Sequence, residues 1–317
     1  MLRQGWDRFF FSPNPWVAAG ALAALCVLGA TVGAAAVALG GPLVAAALVV
    51  AAAAGLLVLR DMEIGFWGLI GVICLLPFAA FPFDVGITPT FLDAAMGAVV
   101  GVWALRLAGW KQPGQQRRIV TSPITIPLVA FVLAALFAFV LGLQHGALTS
   151  YLLRHFAEML MSIGFAIVVV DYCRDWRRLE RLVIILLLAA GAAALLGIGL
   201  YLLPDEIANS LLSRLSIVGY PAGNVLRYIE DNPELAERAI SASVDPNVLG
   251  GMLAMALALA APQLFSPRPL LPRRLTAVIT AALGLCLLLT FSRGSMAAAA
   301  AGLAFIALLR YPKLLLV

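Results

Sequence analysis

The stretch 287-LLLTFSRGSM-296 sets a lone arginine, Arg293, between two long apolar runs with no acidic neighbour. A guanidinium at membrane depth is costly, so such a residue belongs near an interface, in a wet cavity, or at a functional position. Choosing among these requires knowing where the flanking apolar runs begin and end. The same runs decide the fold.

The chain is 63% hydrophobic and 12% charged over 317 residues, whereas soluble domains carry about 25% charged residues. Apolar runs of roughly 18–22 residues recur along it, each long enough to cross a bilayer core of about 30 Å as a helix. Backbone groups in lipid must pair internally, and the short alternating segments of a β-barrel are missing. The expected fold class is all-α: a polytopic helical membrane protein with about ten transmembrane helices and one long external loop. The spans are expected near residues 16–39, 42–59, 64–81, 91–108, 124–142, 153–172, 181–203, 247–264, 275–291 and 295–310. Residues 1–203 then form an N-terminal set of transmembrane helices, 204–246 the loop, and 247–317 a second set.

The first run, Trp16 to Gly40, is longer than the apolar core of a signal peptide, and another span follows directly after Gly41-Pro42. It is therefore read as a span and not a cleaved leader. Cys26, Cys74, Cys173 and Cys286 are scattered in or beside apolar runs. That pattern suits packing and shows neither metal spacing nor a disulfide framework. Glycines four apart at 29 and 33, and again at 97 and 101, suit close helix contact.

Charge placement orients the chain. With a cytoplasmic N-terminus, only Arg154, Arg214, Arg227, Arg238 and Arg293 of the 21 Lys and Arg residues fall outside. The other sixteen lie on the cytoplasmic side, as the positive-inside rule requires. The net charge of +5 thus has a membrane explanation and gives no sign of a nucleic-acid partner. The external side also owns the long loop 204–246, in which "EIANSLLSRL" and "NPELAERAI" have helical spacing and Asn232 before Pro233 resembles a helix start. Loops of this length are usually functional or disordered; this one is expected to fold over the mouth of the bundle.

Three constellations carry possible chemistry. The first is the set of external arginines, whose planar forks suit bidentate contact with phosphate oxygens. Arg293 has no sequence-local acid. Arg227 and Arg238 have two readings: ligands of an anionic head group, or ion pairs with Glu230, Asp231, Glu234 or Glu237, with Glu234 at i−4 of Arg238 on the expected helix. The second is "YLLRHFAEMLM" (151–161), where Arg154 and Glu158 have the spacing of an intrahelical pair. His155 beside them is a candidate general base or a satisfied interfacial histidine. The third is "SVDPN" (243–247), a turn followed by a helix start in which Asn247 is the expected cap. Two histidines without convergent carboxylates make no metal set, and no Gly-rich phosphate cradle or serine elbow is present.

At "ERAISASVDPNVLGG" (237–251) followed by "LLLTFSRGSM" (287–296), the sequence resembles the O-antigen ligase and polymerase family, bacterial integral-membrane glycosyltransferases. The resemblance is concentrated in residues 238–310; upstream it is limited to hydropathy and to Asp93 opening the fourth span. It implies transfer of a glycan from an undecaprenyl-diphosphate carrier to a hydroxyl of a lipid or glycan acceptor, without nucleotide, metal or other cofactor. It also implies a multi-pass place in the bacterial cytoplasmic membrane with the active face outside. Arg293 is carried over as a diphosphate ligand and Arg238 as a second one; Arg227, Arg154 and Asn247, from the constellations above, complete the candidate substrate-binding set. The family also supplies a histidine from a large external loop after the "SRG" span, and no histidine follows His155 in this sequence. The expectation is that the chain is an N-terminal part of a longer protein; the other reading has His155 in the catalytic role. A transporter or lipid flippase without covalent chemistry is the alternative function. It would favour broken helices and polar residues at mid-membrane, where this chain places Ala, Leu, Val and Gly.

Overall fold

The computed structural model describes residues 55–81, 88–108, 123–223 and 225–311. The chain divides into two compact units, residues 1–56 and 57–317, and the elements below belong to the second. The expected span at 16–39, most of that at 42–59, and the glycine pair at 29 and 33 lie outside the described residues.

The second unit is mostly helical. Its helices are α1 (Met62–Leu75), α2 (Phe91–Ala108), α3 (Thr125–Gly142), α4 (Ser150–Tyr172), α5 (Trp176–Tyr201), α6 (Asp205–Ser213), α7 (Pro246–Gln263), α8 (Arg273–Leu289) and α9 (Arg293–Leu309). Several starts are written locally. Asp61, Thr149, Asp175 and Asp245 each accept a backbone N–H from the first turn that follows. Thr90 and Asp93 close a reciprocal box at α2: Asp93 Oδ2 accepts from Thr90 N at 2.9 Å and Thr90 Oγ1 from Asp93 N at 3.0 Å. Helix α1 stops at Leu75, short of the expected residue 81. Leu76 precedes Pro77, and the residue before a proline is pushed out of the helical region.

Among the described residues three helices, α3, α4 and α5, are long and apolar enough to cross a membrane. The expected ten spans are not matched in full among the described residues. Helix α1 has 14 residues, a length of about 21 Å at 1.5 Å per residue, against a bilayer core of about 30 Å. Helix α3 shows most plainly what surrounds the protein. None of its residues is buried, Ile126 is 77% exposed and Phe137 68%, and it packs on α4 with Phe139 stacked on Phe156 at 3.9 Å between centroids. An apolar surface of this kind is untenable in water and natural in lipid. The protein is membrane-embedded.

The core forms where α5, α7 and α8 pack together, with α9 against α7 and α1 against α5 and α2. Leu187, Leu249, Leu253, Leu283 and Cys286 are fully buried there. Small residues let the backbones approach: a Cβ on Gly197 of α5 would stand 2.9 Å from Cys286 Sγ of α8.

One end of the bundle gathers the start of α2, the end of α5, the segment 204–246, and the junction of α7, α8 and α9. Ala80 N donates to Val218 O (2.8 Å), Phe91 N to Ala79 O (2.8 Å), and Ala239 N to Leu289 O (2.8 Å). The start of α4 joins them through the Arg154–Asp93 ion pair. At the opposite end Trp103 Nε1 donates to Asp171 Oδ2 (2.9 Å), Arg174 pairs with Asp171, and Arg181 pairs with Glu63 (3.0 Å).

The segment 204–246 departs from expectation in its second half. "EIANSLLSRL" is helical, as α6 followed by a 3-10 turn at Arg214–Val218. "NPELAERAI" is not a helix. Asn232 Oδ1 accepts from Glu234 N at 3.0 Å, an Asx turn that sends the chain back. An antiparallel ladder of β1 (Arg227–Tyr228) and β2 (Glu237–Arg238) follows, with Arg227 opposite Arg238 and Tyr228 opposite Glu237.

Candidate functional site

The site is built where β2 meets the α8–α9 junction. Arg238 Nε donates to the Thr290 carbonyl at 2.8 Å, and its Nη2 to Asn247 Oδ1 at 3.0 Å. The guanidinium thereby lies at the carbonyl end of α8, where the helix dipole favours a cation. Asn247 Oδ1 also accepts from Ser292 Oγ at 3.1 Å, and Ser292 Oγ lies 2.9 Å from Ser295 Oγ. Three elements, β2, α7 and α9, are thus tied through one amide oxygen.

The junction itself is tight. Thr290 is fully buried; its hydroxyl donates to Leu287 O (2.7 Å) and accepts from Ser292 N (3.2 Å). Phe291 takes a φ of +51°, an uncommon left-handed conformation that reverses the chain between α8 and α9. Gly250 of α7 is required opposite: a Cβ there would meet Ser295 Oγ at 2.8 Å.

Arg293 follows as the first residue of α9. It is exposed and makes no hydrogen bond or ion pair among the described residues. Among the described residues no side chain caps the helix it opens, so first-turn N–H groups stay available beside its guanidinium. Arg227 is likewise exposed and without such a partner among the described residues. Like charges directly opposite on a ladder, as Arg227 and Arg238 are, disfavour each other unless an anion intervenes.

Two expectations are corrected here. Arg238 does not pair with Glu234, because no helix places them a turn apart; its partners are a backbone carbonyl and an amide reached through tertiary folding. Asn247 does not cap α7. Asp245 does, accepting from Asn247 N at 2.6 Å and Val248 N at 3.2 Å, with Pro246 in the first helical position. Asn247's side chain is thereby released toward Arg238.

Arg154 and His155 form a second cluster at the same end, on α4. Arg154 Nε donates to Glu158 Oε1 at 2.6 Å, the expected intrahelical pair, and its Nη2 lies 3.5 Å from Asp93 Oδ2. His155 Nδ1 lies 3.0 Å from Glu158 Oε2, and its half-exposed ring meets Tyr151 edge-on at 4.2 Å. Helix α4 packs on α2 and α3, and no hydrogen bond joins this cluster to Arg238 or Asn247 among the described residues. No three His, Cys, Asp or Glu side chains converge as metal ligands among the described residues.

Ser292, Ser295 and Thr290 had no role in the sequence reading. Nor had the group on the other face of the ladder, where Tyr228 Oη donates to Asp205 Oδ2 at 2.7 Å. Burial, and then the charge of Asp205, push the Glu237 carboxyl up to about 7. The bond to Asp205, with burial and the two carboxylates behind it, pushes the Tyr228 phenol up to about 12. No family model, curated protein or solved structure matches this chain.

Proposed function

We propose that the protein is a membrane glycosyltransferase that moves a glycan from an undecaprenyl-diphosphate carrier to an acceptor hydroxyl, as the sequence resemblance implies. The observation that carries this reading is Arg293. Among the described residues its guanidinium has no partner and the helix it opens has no side-chain cap, and it is close in sequence to the Ser292–Asn247–Arg238 network. A helix N-terminus and an arginine fork both favour phosphate oxygens. The opposed Arg227 and Arg238 add positive charge at the same end.

In the reaction, the acceptor oxygen attacks the anomeric carbon of the donor sugar. The bond from that carbon to the phosphate oxygen breaks, and the carrier diphosphate leaves with the electron pair. Arginines around the diphosphate stabilise this developing charge. The acceptor proton must pass to a base. On the reading that finds the base within this sequence, His155 takes that role, with Glu158 holding Nδ1 and leaving Nε2 to take the proton. Arg154, held by Glu158 and Asp93, positions this cluster. The distribution of basic residues favours an external active face, and the resemblance implies the bacterial cytoplasmic membrane.

Most polar groups among the described residues gather at the ends of the bundle, and the core between them is mainly leucine and alanine. That distribution favours interfacial chemistry over the transport alternative. The test is glycan transfer in proteoliposomes containing the full-length protein, purified lipid-diphosphate donor and acceptor. Transfer that Arg293→Ala abolishes supports the reading. Unchanged transfer and donor binding in that variant would reduce Arg293 to an interfacial anchor and sink it.

A further inference from the structure

Beside the close contact of α7 and α9 the two helices part into a groove. They touch at Gly250, whose Cβ would meet Ser295 and Ser292. One residue on, Gly251 has open space where a Cβ would stand, and so has Gly294 on the facing helix. A groove of about 310 Å³ lies between them, lined by Gly251, Met255 and Ala258 on α7 and by Gly294, Ser295 and Ala298 on α9. The spacing of four and three residues along α7, and of four along α9, keeps each set on one helical face.

Three observations identify the occupant. The floor is apolar apart from one hydroxyl, that of Ser295, next to the α9 start. The groove opens sideways, with Met255 68% exposed, so in a membrane-embedded bundle an apolar chain enters it from lipid. At its upper end Arg293 adjoins Gly294, exposed and without a partner among the described residues. The ligand therefore has an anionic head and an apolar chain. From Gly251 to Ala258 the groove follows α7 for about 10 Å at 1.5 Å per residue, the length of a short stretch of branched apolar chain. Glycine and alanine walls also leave width for methyl branches.

We propose that the α7–α9 groove holds the first two isoprene units of the lipid-linked donor, directly beneath a diphosphate bound at Arg293. This rests on the glycosyltransferase reading and adds the place of the carrier chain. The chain's position aligns the anomeric carbon at the bundle end, so the groove selects a prenyl carrier over a free diphosphate.

The test uses the full chain in proteoliposomes and a polyprenyl diphosphate bearing a diazirine on its second isoprene unit, with labelled peptides mapped by mass spectrometry. The expected labels fall on residues 251–258 and 294–298, and undecaprenyl diphosphate removes them by competition. Filling the groove with Gly251→Leu and Ala298→Leu should cut labelling by about tenfold, while inorganic diphosphate binds the variant as it binds the unaltered protein. If the double variant does not fold, the label map of the unaltered protein decides. Labels on other helices, still removed by undecaprenyl diphosphate, overturn the groove and spare the donor reading. Labels that undecaprenyl diphosphate fails to remove overturn both. Equal labelling by a diazirine phosphatidylglycerol, or cross-links to a second copy, assign the groove to those occupants and overturn the proposal.

Discussion

Arg238 and Asn247 meet at 3.0 Å across two elements that the sequence separates by nine residues, and the same Asn247 oxygen accepts from Ser292 at 3.1 Å. The amide is a hub: it fixes the guanidinium from one side and the α9 start from the other. Asn247→Ala should leave Arg238 Nη2 and Ser292 without this acceptor. A hydrogen bond to a charged group contributes about 1.5–3 kcal/mol, and the site's exposure places the loss toward the lower end. Asn247→Asp keeps the acceptor and adds a charge that Arg238 welcomes and a diphosphate does not. Thermal unfolding in detergent should therefore fall for the alanine variant and hold for the aspartate variant, while donor binding falls for both. Normal donor binding by Asn247→Asp would show that the anion is held elsewhere.

In the proposed reaction Arg154 acts through its partners and not on substrate. Glu158 holds it at 2.6 Å and Asp93 at 3.5 Å. Exchanging Arg154 and Glu158 retains the intrahelical pair but brings Glu158's replacement arginine farther from Asp93 and strips His155 of its carboxylate. If His155 is the base, the exchange should preserve expression and donor KM while lowering kcat. Arg154→Lys should restore most of the activity that Arg154→Ala loses. A collapse of donor binding in Arg154→Lys would make Arg154 a direct ligand instead.

The raised Glu237 carboxyl makes the segment between α6 and α7 sensitive to pH. Its folded value of about 7 stands above the ordinary 4.5, so the folded segment holds this proton after the unfolded one has lost it. Stability from this group is fully present below about pH 4.5 and is lost as pH rises toward 7. Hydrogen exchange at Ile229 N, which donates to Ala236 O at 3.1 Å, should lose protection over that window after correction for intrinsic rates. Glu237→Gln should flatten the dependence and protect the amide better at pH 8. An unchanged slope in this variant would assign it to Asp205 or another group.

The long helices were legible because apolar runs and their caps are local signals. The ladder was not: a two-residue strand has no periodicity to read, and "NPELAERAI" satisfies helical spacing equally well. What decides between them is the Asx turn at Asn232 and the bond from Ala239 N to Leu289 O, a partner fifty residues away in sequence. Arg238 escaped for the same reason, since its acceptors come from tertiary structure and not from its own turn. The cap was closer to hand. Proline favours the first position of a helix, so "DPN" itself names Asp245 as the cap and frees Asn247.

The orientation of the bundle rests on sixteen basic residues against five. Ser216 and Ser266 lie at opposite ends, in the segment after α6 and in the α7–α8 connection. With single cysteines at these positions in a cysteine-free background, an impermeant thiol reagent should label Ser216→Cys on intact cells and leave Ser266→Cys untouched. The reverse pattern would put Arg227, Arg238 and Arg293 on the cytoplasmic side and overturn the proposed external active face.

Arg293 gives the sharpest test of what this end of the bundle binds. A lysine keeps the positive charge and loses the planar fork, so the two features can be separated. If Arg293 holds the leaving diphosphate through paired N–H groups that strengthen as charge develops, Arg293→Lys should lower kcat more than it raises the donor KM. Removing one such donor outright commonly costs about 2.7–4 kcal/mol, roughly a hundred- to thousandfold in rate. Arg293→Ala should reach that range and Arg293→Lys fall short of it. Gly294, beside it in the open start of α9, leaves room for the phosphate to approach the backbone, so Gly294→Val should weaken donor binding while the arginine remains. Turnover should be measured in proteoliposomes at matched protein levels, with donor binding measured separately. Equal activity of Arg293→Lys and the unaltered protein would mean that charge alone matters, and that the fork, the helix start and the close approach at Gly294 have no part in holding the anion.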